Sequence, residues 1–310
     1  MRDGPWRALY PFVPRRHGHG ARALPGRPAT PAAGQGYLDE GPPDGPPVVM
    51  VHGNPTWSFY FRGLVSAWRG RWRCLAPDHM GCGLSDRPAG YPYTLAAHVD
   101  NLDALLSAVL PPADRPGGRV VLLAHDWGGA IGMGFATRRP ERVAGLIVTN
   151  SAAWPDLRVP ARIRLCRVPV LGALAVRGLN LFARAASRMT TSRPLPPEVR
   201  AGYLAPYDSW AARVAVHRFV QDIPLSPRAR SAPELERIAE GLGRLAGKPA
   251  LVAWGMKDWC FSPHYLAGWK ERLPGVRVAE FPDAAHYLQE DAGEEAERVM
   301  REFLEGLPSW

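Results

Sequence analysis

Lysine is almost missing from this chain. Of 38 basic residues, only Lys248, Lys257 and Lys270 are lysines, and the rest are arginines. Such one-sided usage, beside abundant Ala, Gly and Pro, reads as codon bias rather than as an adaptation to a ligand. The formal net charge of +9 therefore does not announce a nucleic-acid partner, and no RNA- or DNA-binding motif accompanies it. Cysteine is scarce as well. Cys74, Cys82, Cys166 and Cys260 form no C-x-x-C pair, which argues against a disulfide framework and for free thiols in a reducing compartment. No Cys/His spacing suits a metal, and no cofactor is expected. No apolar run reaches the length that crosses a bilayer, and the patch at residues 9–13 is too short and interrupted for a secretory signal. A cytoplasmic protein is the expectation.

What is present is a catalytic α/β pattern. With 310 residues, 46% of them hydrophobic, the chain can build one α/β domain with an insertion. Residues 1–35 are rich in Arg, Pro, Gly and His and read as a loosely ordered basic leader, with Trp6, Tyr10 and Phe12 able to dock on the body. Apolar, β-branched runs then mark strands that end near Glu40, His52, Pro77, His125, Asn150, Gly255 and Phe281, several of them separated by helical periodicity. Thr94 is placed to cap one of these helices. Alternation stops over 154–225, where the pattern is helical and broken by prolines. The expectation is an α/β-hydrolase fold: a mostly parallel sheet flanked by helices, its core at 36–153 and 226–310, with a helical cap over 154–225 inserted after the sixth strand.

The cap carries most of the net charge. Eight arginines and no acid lie between Asp156 and Glu198. Interleaved Leu, Val and Phe would make this a basic amphipathic surface for an anionic membrane or an acidic partner. The alternative is a solvated face.

The chemistry centres on Ala124-His125-Asp126-Trp127-Gly128. A buried strand ends in small residues around one polar side chain and runs straight into a helix, the pattern of a nucleophile elbow. The nucleophile here is Asp126, so serine esterase chemistry is disfavoured. In this fold the order is nucleophile, acid, histidine, and the sequence continues with Asp258 and His286, each just past a strand. The other position for the acid, after the sixth strand, holds Asn150, whose amide cannot stabilise an imidazolium by charge. A carboxylate nucleophile can attack sp³ carbon and leave a covalent ester. His286, oriented by Asp258, could then activate water. A departing anion needs donors, and Trp127 and Asn54 can supply them. His125 is expected to support the elbow, His52 the neighbouring loop, and Asp78, His79 and Ser85 the Gly-rich loop.

The segments His52-Gly53-Asn54-Pro55-Thr56-Trp57-Ser58, His125-Asp126-Trp127-Gly128-Gly129, Gly81-Cys82-Gly83-Leu84-Ser85-Asp86 and Trp254-Gly255-Met256-Lys257-Asp258 together resemble the haloalkane dehalogenase family of α/β-hydrolases. With its acid at Asp258 and donors at Asn54 and Trp127, the chain is similar to the third subfamily. That subfamily also contains the OleB-type β-lactone decarboxylases of bacterial long-chain olefin biosynthesis. The segments at 200–210, with Tyr203, Tyr207 and Trp210, at 217–225 and at 37–42 resemble that branch more closely. The resemblance implies a cis-β-lactone bearing two alkyl chains (a cis-3-alkyl-4-alkyloxetan-2-one), opened by Asp126 and resolved to a cis-alkene and CO₂. Attack at ring carbon or at the carbonyl are both open. It also implies assembly with the β-lactone synthetase and the reductase of that pathway, which the basic cap would suit, as it would docking at a membrane.

Three rivals use the same residues differently. Haloalkane dehalogenation would release halide and an alcohol. Epoxide hydrolysis needs cap tyrosines, for which Tyr203 and Tyr207 are available, although Asn54 between Gly53 and Pro55 argues against it. A catalytically silent binding or scaffold protein would have no use for an intact Asp126, His286 and Asp258.

Overall fold

Strand residues of alternate parity face opposite sides of a sheet, and that rule divides the core in two. Val49, Val51, Leu75, Leu122, Ala124 and Val148 pack on one face, and Val48, Met50, Cys74, Val121, Leu123 and Ile147 on the other. A computed structural model, which describes residues 4–19 and 33–310, joins these strands into a single eight-stranded sheet. The strands are β1 (Arg15–His19), β2 (Ala33–Glu40), β3 (Pro47–Val51), β4 (Arg73–Pro77), β5 (Val120–His125), β6 (Val143–Thr149), β7 (Ala250–Gly255) and β8 (Arg277–Phe281). Their spatial order is β1-β2-β4-β3-β5-β6-β7-β8. β2 is antiparallel to both neighbours, and every other pair is parallel. β3 and β5 are buried along their whole length, which is why they read as unbroken apolar runs. The edge strand β1 is instead built of Arg, His and Gly, side chains that discourage further pairing.

Helices cover both faces. In chain order they are α1 (Arg62–Trp68), α2 (Leu95–Val109) and α3 (Trp127–Arg138), then α4 (Ala161–Leu165), α5 (Leu171–Ala173), α6 (Leu181–Met189), α7 (Pro197–Leu204) and α8 (Val214–Asp222), and finally α9 (Ala232–Gly241), α10 (Pro263–Arg272), α11 (Leu288–Asp291) and α12 (Gly293–Glu305). α2, α3, α9 and α10 share one core, and α1 and α12 the other. Thr94 Oγ1 accepts the Ala97 N–H and caps α2. Helices α4 to α8 lie between β6 and β7, in the stretch where sequence periodicity turns helical. Glycine and proline interruptions keep them short. α9 has left that segment and packs beside α3 in the body.

The leader departs from its expectation. In the described part of 1–35, residues 4–19 are built into the fold: Pro5–Leu9 forms a 3₁₀ turn and β1 extends the sheet. The boundary drawn at residue 35 falls inside β2. Residues 20–32 lie outside the described residues. The physical reason is aromatic. Trp6, Tyr10 and Phe12 are buried. The Trp6 and Tyr10 rings lie 5.7 Å and 5.0 Å from that of Trp57, and Tyr10 shares a 2.6 Å hydrogen bond with Ser58 Oγ. The three aromatics dock as expected, and their burial offsets the entropy of ordering a polar, Gly/Pro-rich stretch that composition alone reads as loose.

A half-buried ionic cluster ties the helical segment to the body. The Arg62 guanidinium meets both Glu290 carboxylate oxygens at 2.6 and 2.9 Å, and the Tyr203 hydroxyl of α7 donates to the same carboxylate. Trp57 Nε1 donates to the Gly202 carbonyl at 3.1 Å, and the Tyr287 N–H to that of Thr190 at 2.8 Å.

Candidate active site

The chain turns at Asp126 with φ 53° and ψ −126°. A positive φ strains a residue other than glycine, and the surroundings hold it in place. The Asp126 N–H donates to the Asn150 carbonyl at 3.2 Å, and Ser151 Oγ donates to the Asp126 carbonyl at 2.5 Å. The small neighbours are sterically required. A Cβ on Gly128 would stand 2.0 Å from the Val51 carbonyl oxygen, and one on Gly53 2.1 Å from Asp126 Oδ1. The loop after β3 and the elbow after β5 can touch only because both lack side chains there.

That contact organises the carboxylate. Asp126 Oδ1 accepts the Asn54 N–H at 2.6 Å, and the Trp127 N–H also bonds to the carboxylate. These are two converging backbone donors, one of them at the start of α3, the arrangement that stabilises a developing oxyanion. Burial raises the Asp126 pKa above the ordinary carboxylate value, against the opposing pull of the His286 charge and of the two N–H groups.

His286 and Asp258 arrive from the loops after β8 and β7. His286 Nδ1 donates to Asp258 Oδ2 at 2.7 Å, and Nε2 stands 3.7 Å from Asp126 Oδ2. Burial disfavours the imidazolium, but the charge and hydrogen bond of Asp258, joined by the charge of Asp126, outweigh it and raise the His286 pKa above its usual 6.5. Asp258 is itself braced: the Cys260 N–H donates to Oδ1 at 2.6 Å and Asn150 Nδ2 to Oδ2 at 3.0 Å. Asn150 also takes the Gly255 N–H on its Oδ1 at 2.9 Å. The residue at the alternative acid position thus serves the acid, clamping the end of β6 to the end of β7.

Asn54 and Trp127 both line the cavity above Asp126. Asn54 Nδ2 donates to the Val216 carbonyl at 3.3 Å, while its Oδ1 is buried without a partner among the described residues. His52, His79 and His125 sit behind the site. His52 Nδ1 donates to the Gly53 carbonyl at 2.7 Å and its Nε2 accepts the His79 N–H at 2.9 Å, so burial keeps it neutral, well below its usual pKa. His125 stacks on Tyr60 at 4.4 Å between ring centroids and lies 4.6 Å from the His286 ring. Asp78 takes the N–H groups of Ser58 and Leu84 at 2.7 and 2.8 Å, and Ser85 donates to the Asp78 carbonyl at 2.7 Å, joining the Gly-rich loop to the loop after β3.

Over the carboxylate opens a cavity of about 740 Å³. Its walls are largely apolar, with Ile163, Leu171, Leu181, Phe182 and Val220 from the cap segment and Leu235 from α9. Spacing along the chain does not reveal this lining, since residues as distant as Asn54 and Phe261 share it. Tyr203 and Tyr207 are not part of it. Tyr203 is spent on Glu290, and the Tyr207 hydroxyl donates to the Thr56 carbonyl at 3.3 Å, so neither cap tyrosine faces a ligand over Asp126. Among the described residues, no cluster of His, Cys, Asp and Glu could hold a metal, and no helix is long and apolar enough to cross a membrane.

Comparison with known proteins agrees with this architecture. A family model described as alpha/beta hydrolase fold matches residues 46–293. The chain is 44% identical over 274 residues to a cis-3-alkyl-4-alkyloxetan-2-one decarboxylase of Shewanella oneidensis, covering 86% of this chain and 84% of that one. It is equally 44% identical, over 288 residues, to a decarboxylase of the same name from Xanthomonas campestris, covering 90% and 94%. Among solved structures it matches that of haloalkane dehalogenase DbeA from Bradyrhizobium elkani with a TM-score of 0.81 at 25% identity, covering 95% of this chain and 98% of the other.

Proposed function

The chain belongs to the α/β-hydrolase fold family, among the relatives of oxetanone decarboxylases and haloalkane dehalogenases, and from that premise we propose that it decarboxylates cis-3-alkyl-4-alkyloxetan-2-ones to cis-alkenes and CO₂. The observation that carries the reading is a carboxylate nucleophile, facing a histidine whose pKa is raised, on the floor of a roomy apolar cavity. Two alkyl chains fit such walls, and apolar surface supplies the affinity.

Attack by Asp126 at the ring carbon bonded to the ring oxygen balances without water. A carboxylate O–C bond forms, the ring C–O bond breaks, and its electron pair leaves the lactone's acyl group as a carboxylate. The bond from that carboxylate to the neighbouring carbon then breaks, its pair forms the alkene, and the ester C–O pair returns to Asp126 as CO₂ departs. Inversion in the first step followed by anti elimination in the second keeps the two alkyl groups cis. In this sequence Trp127 and Asn54 hold the lactone oxygens, Asp258 keeps the His286 ring in place, and the protonated His286 stabilises the opened carboxylate. Residues 154–225 act as the cap over the core of 36–153 and 226–310, a cytoplasmic setting suits the free thiols, and a supplier of the lactone, such as a synthetase working with a reductase, would assemble with the enzyme.

A second reading, haloalkane dehalogenation, is favoured by the likeness to the dehalogenase structure. It would use the same Asp126 ester, cleaved by water. Epoxide opening loses its proton donors, because Tyr203 and Tyr207 are engaged elsewhere. The deciding assay offers purified protein a dialkyl cis-β-lactone and, separately, 1-bromoalkanes, and follows alkene and halide. Alkene without halide is the expected result, and halide without alkene would overturn the proposal. A lactone carrying ¹⁸O in the ring separates the two points of attack. Attack at ring carbon retains the label in CO₂, whereas attack at the carbonyl leaves the ring oxygen on the alkyl carbon, so that CO₂ departs without it.

A further inference from the structure

We infer that the outer face of α4 to α6 is a docking surface for an anionic lipid bilayer, and that it seats the mouth of the active-site cavity directly on the membrane. Among the described residues, large apolar side chains that stand exposed fall, Val13 apart, between Leu157 and Trp210. Leu165, Leu171, Leu181 and Met189 are 69%, 66%, 48% and 41% exposed, and the same four line the cavity. The opening of the cavity is therefore rimmed by side chains that also face outward. Leu174 and Leu179, 51% and 63% exposed, extend the rim without lining the cavity.

Charge selects the occupant. Of the eight arginines between Asp156 and Glu198, only Arg158 is in an ion pair with a carboxylate among the described residues, that of Asp156. Arg162, Arg164, Arg184, Arg188 and Arg193 are exposed. On α6 the outward positions are Leu181, Arg184, Ala185, Arg188 and Met189, while Ala183, Ala186 and Ser187 are buried. Arginine and leucine alternating on one outward face is how an interfacial helix enters the headgroup layer, with apolar tips among acyl chains and guanidiniums at phosphate level. Scattered exposed leucines would need no explanation, but a contiguous apolar rim does. The surface follows from its residues alone; that its cargo is a dialkyl lactone entering, and an alkene leaving, rests on the proposed decarboxylation.

The test is flotation of the full chain with vesicles of equimolar phosphatidylethanolamine and phosphatidylglycerol, against vesicles of phosphatidylcholine. The wild type is expected to float with the anionic vesicles at low salt and to be released at high salt, where screening is short-ranged. A Leu174→Asp/Leu179→Asp variant and an Arg184→Ser/Arg188→Ser variant should each bind about tenfold or more weakly, while turnover of a short, water-soluble dialkyl lactone stays at the wild-type rate and reports correct folding. Turnover of a long-chain lactone embedded in the vesicles should fall with binding. A wild type that does not float with anionic vesicles, or variants that bind as it does, would overturn the docking surface. So would self-association through this face in analytical ultracentrifugation that the Leu174→Asp/Leu179→Asp variant abolishes while vesicle binding persists. Vesicle binding without turnover of any lactone would leave the surface standing and refute the proposed decarboxylation instead.

Discussion

The body and the cap of this protein use the same two residues in opposite ways. In the body, arginine is commonly answered by carboxylate: Arg73 by Asp39 at 2.8 Å, Arg138 by Asp100 at 2.8 Å and by Glu234 at 2.6 Å, Arg277 by Glu302 at 3.3 Å. Its leucines are buried in two cores on either side of the sheet. Between Asp156 and Glu198 six of the eight arginines stand exposed with one carboxylate pairing among the described residues, while Arg167 and Arg177 are half-buried on backbone carbonyls, and the leucines stand exposed around an opening. The body is therefore a closed object whose surface is internally compensated. The cap is open on both counts, as a surface is when its complement is supplied from outside.

Removing the proposed nucleophile should separate the two regions most sharply. Asp126→Ala is expected to lower lactone turnover by about 10⁴-fold or more, measured as alkene released, while leaving attachment to anionic vesicles as in the wild type. A loss of both together would mean that body and cap are not separable. Next in size is the cluster that crosses between them. Glu290→Ala strands the half-buried Arg62 guanidinium and the Tyr203 hydroxyl, and stability should fall by about 1–3 kcal/mol, read from urea unfolding. A loss below about 1 kcal/mol would show that this cluster contributes little to holding the two regions together.

The third test is pH. The His286 pKa is raised above 6.5 and that of Asp126 above its ordinary value. Decarboxylation as proposed uses ionised Asp126 and protonated His286. Turnover should therefore rise as Asp126 ionises, hold between the two pKa values, and fall by about tenfold per pH unit once pH exceeds the His286 pKa. Hydrolysis needs neutral His286 as base and would rise as pH passes the His286 pKa, so the slope of kcat there distinguishes the readings. The smallest effect belongs to the body surface. Arg277→Ala removes a pair exposed on both sides and should change stability by less than about 1 kcal/mol, with no change in vesicle binding. Neutralising cap arginines, by contrast, is expected to change binding and not stability.

Much of this architecture is written in local pattern. β3, β5 and β7 are apolar runs flanked by Gly, Pro or polar loops, and their observed ends fall within a residue of those expected. Asp126, Asp258 and His286 stand each just past a strand, where the ends of parallel strands converge, and the structure brings them together. β1 was not legible, since Arg15-Arg16-His17-Gly18-His19 has neither apolar alternation nor β-branched residues. It exists because β2 offers it an edge. The service of Asn150 to Asp258 spans 108 positions in the chain, and the diversion of Tyr203 to Glu290 spans 87. No spacing rule reaches that far.

The sequence by itself determined which side chains could do chemistry and in what order the sheet would present them, because strand periodicity and elbow sterics are local and act within a few residues. Only the tertiary structure decided what those side chains have left to offer. Packing spent the cap tyrosines on the body, gave one amide donor of Asn54 to Val216, and set two backbone N–H groups on Asp126. It also turned the leucines of α4 to α6 outward around the cavity. Hydrogen bonds and burial are allotted among all neighbours in space at once, and those neighbours come from everywhere along the chain.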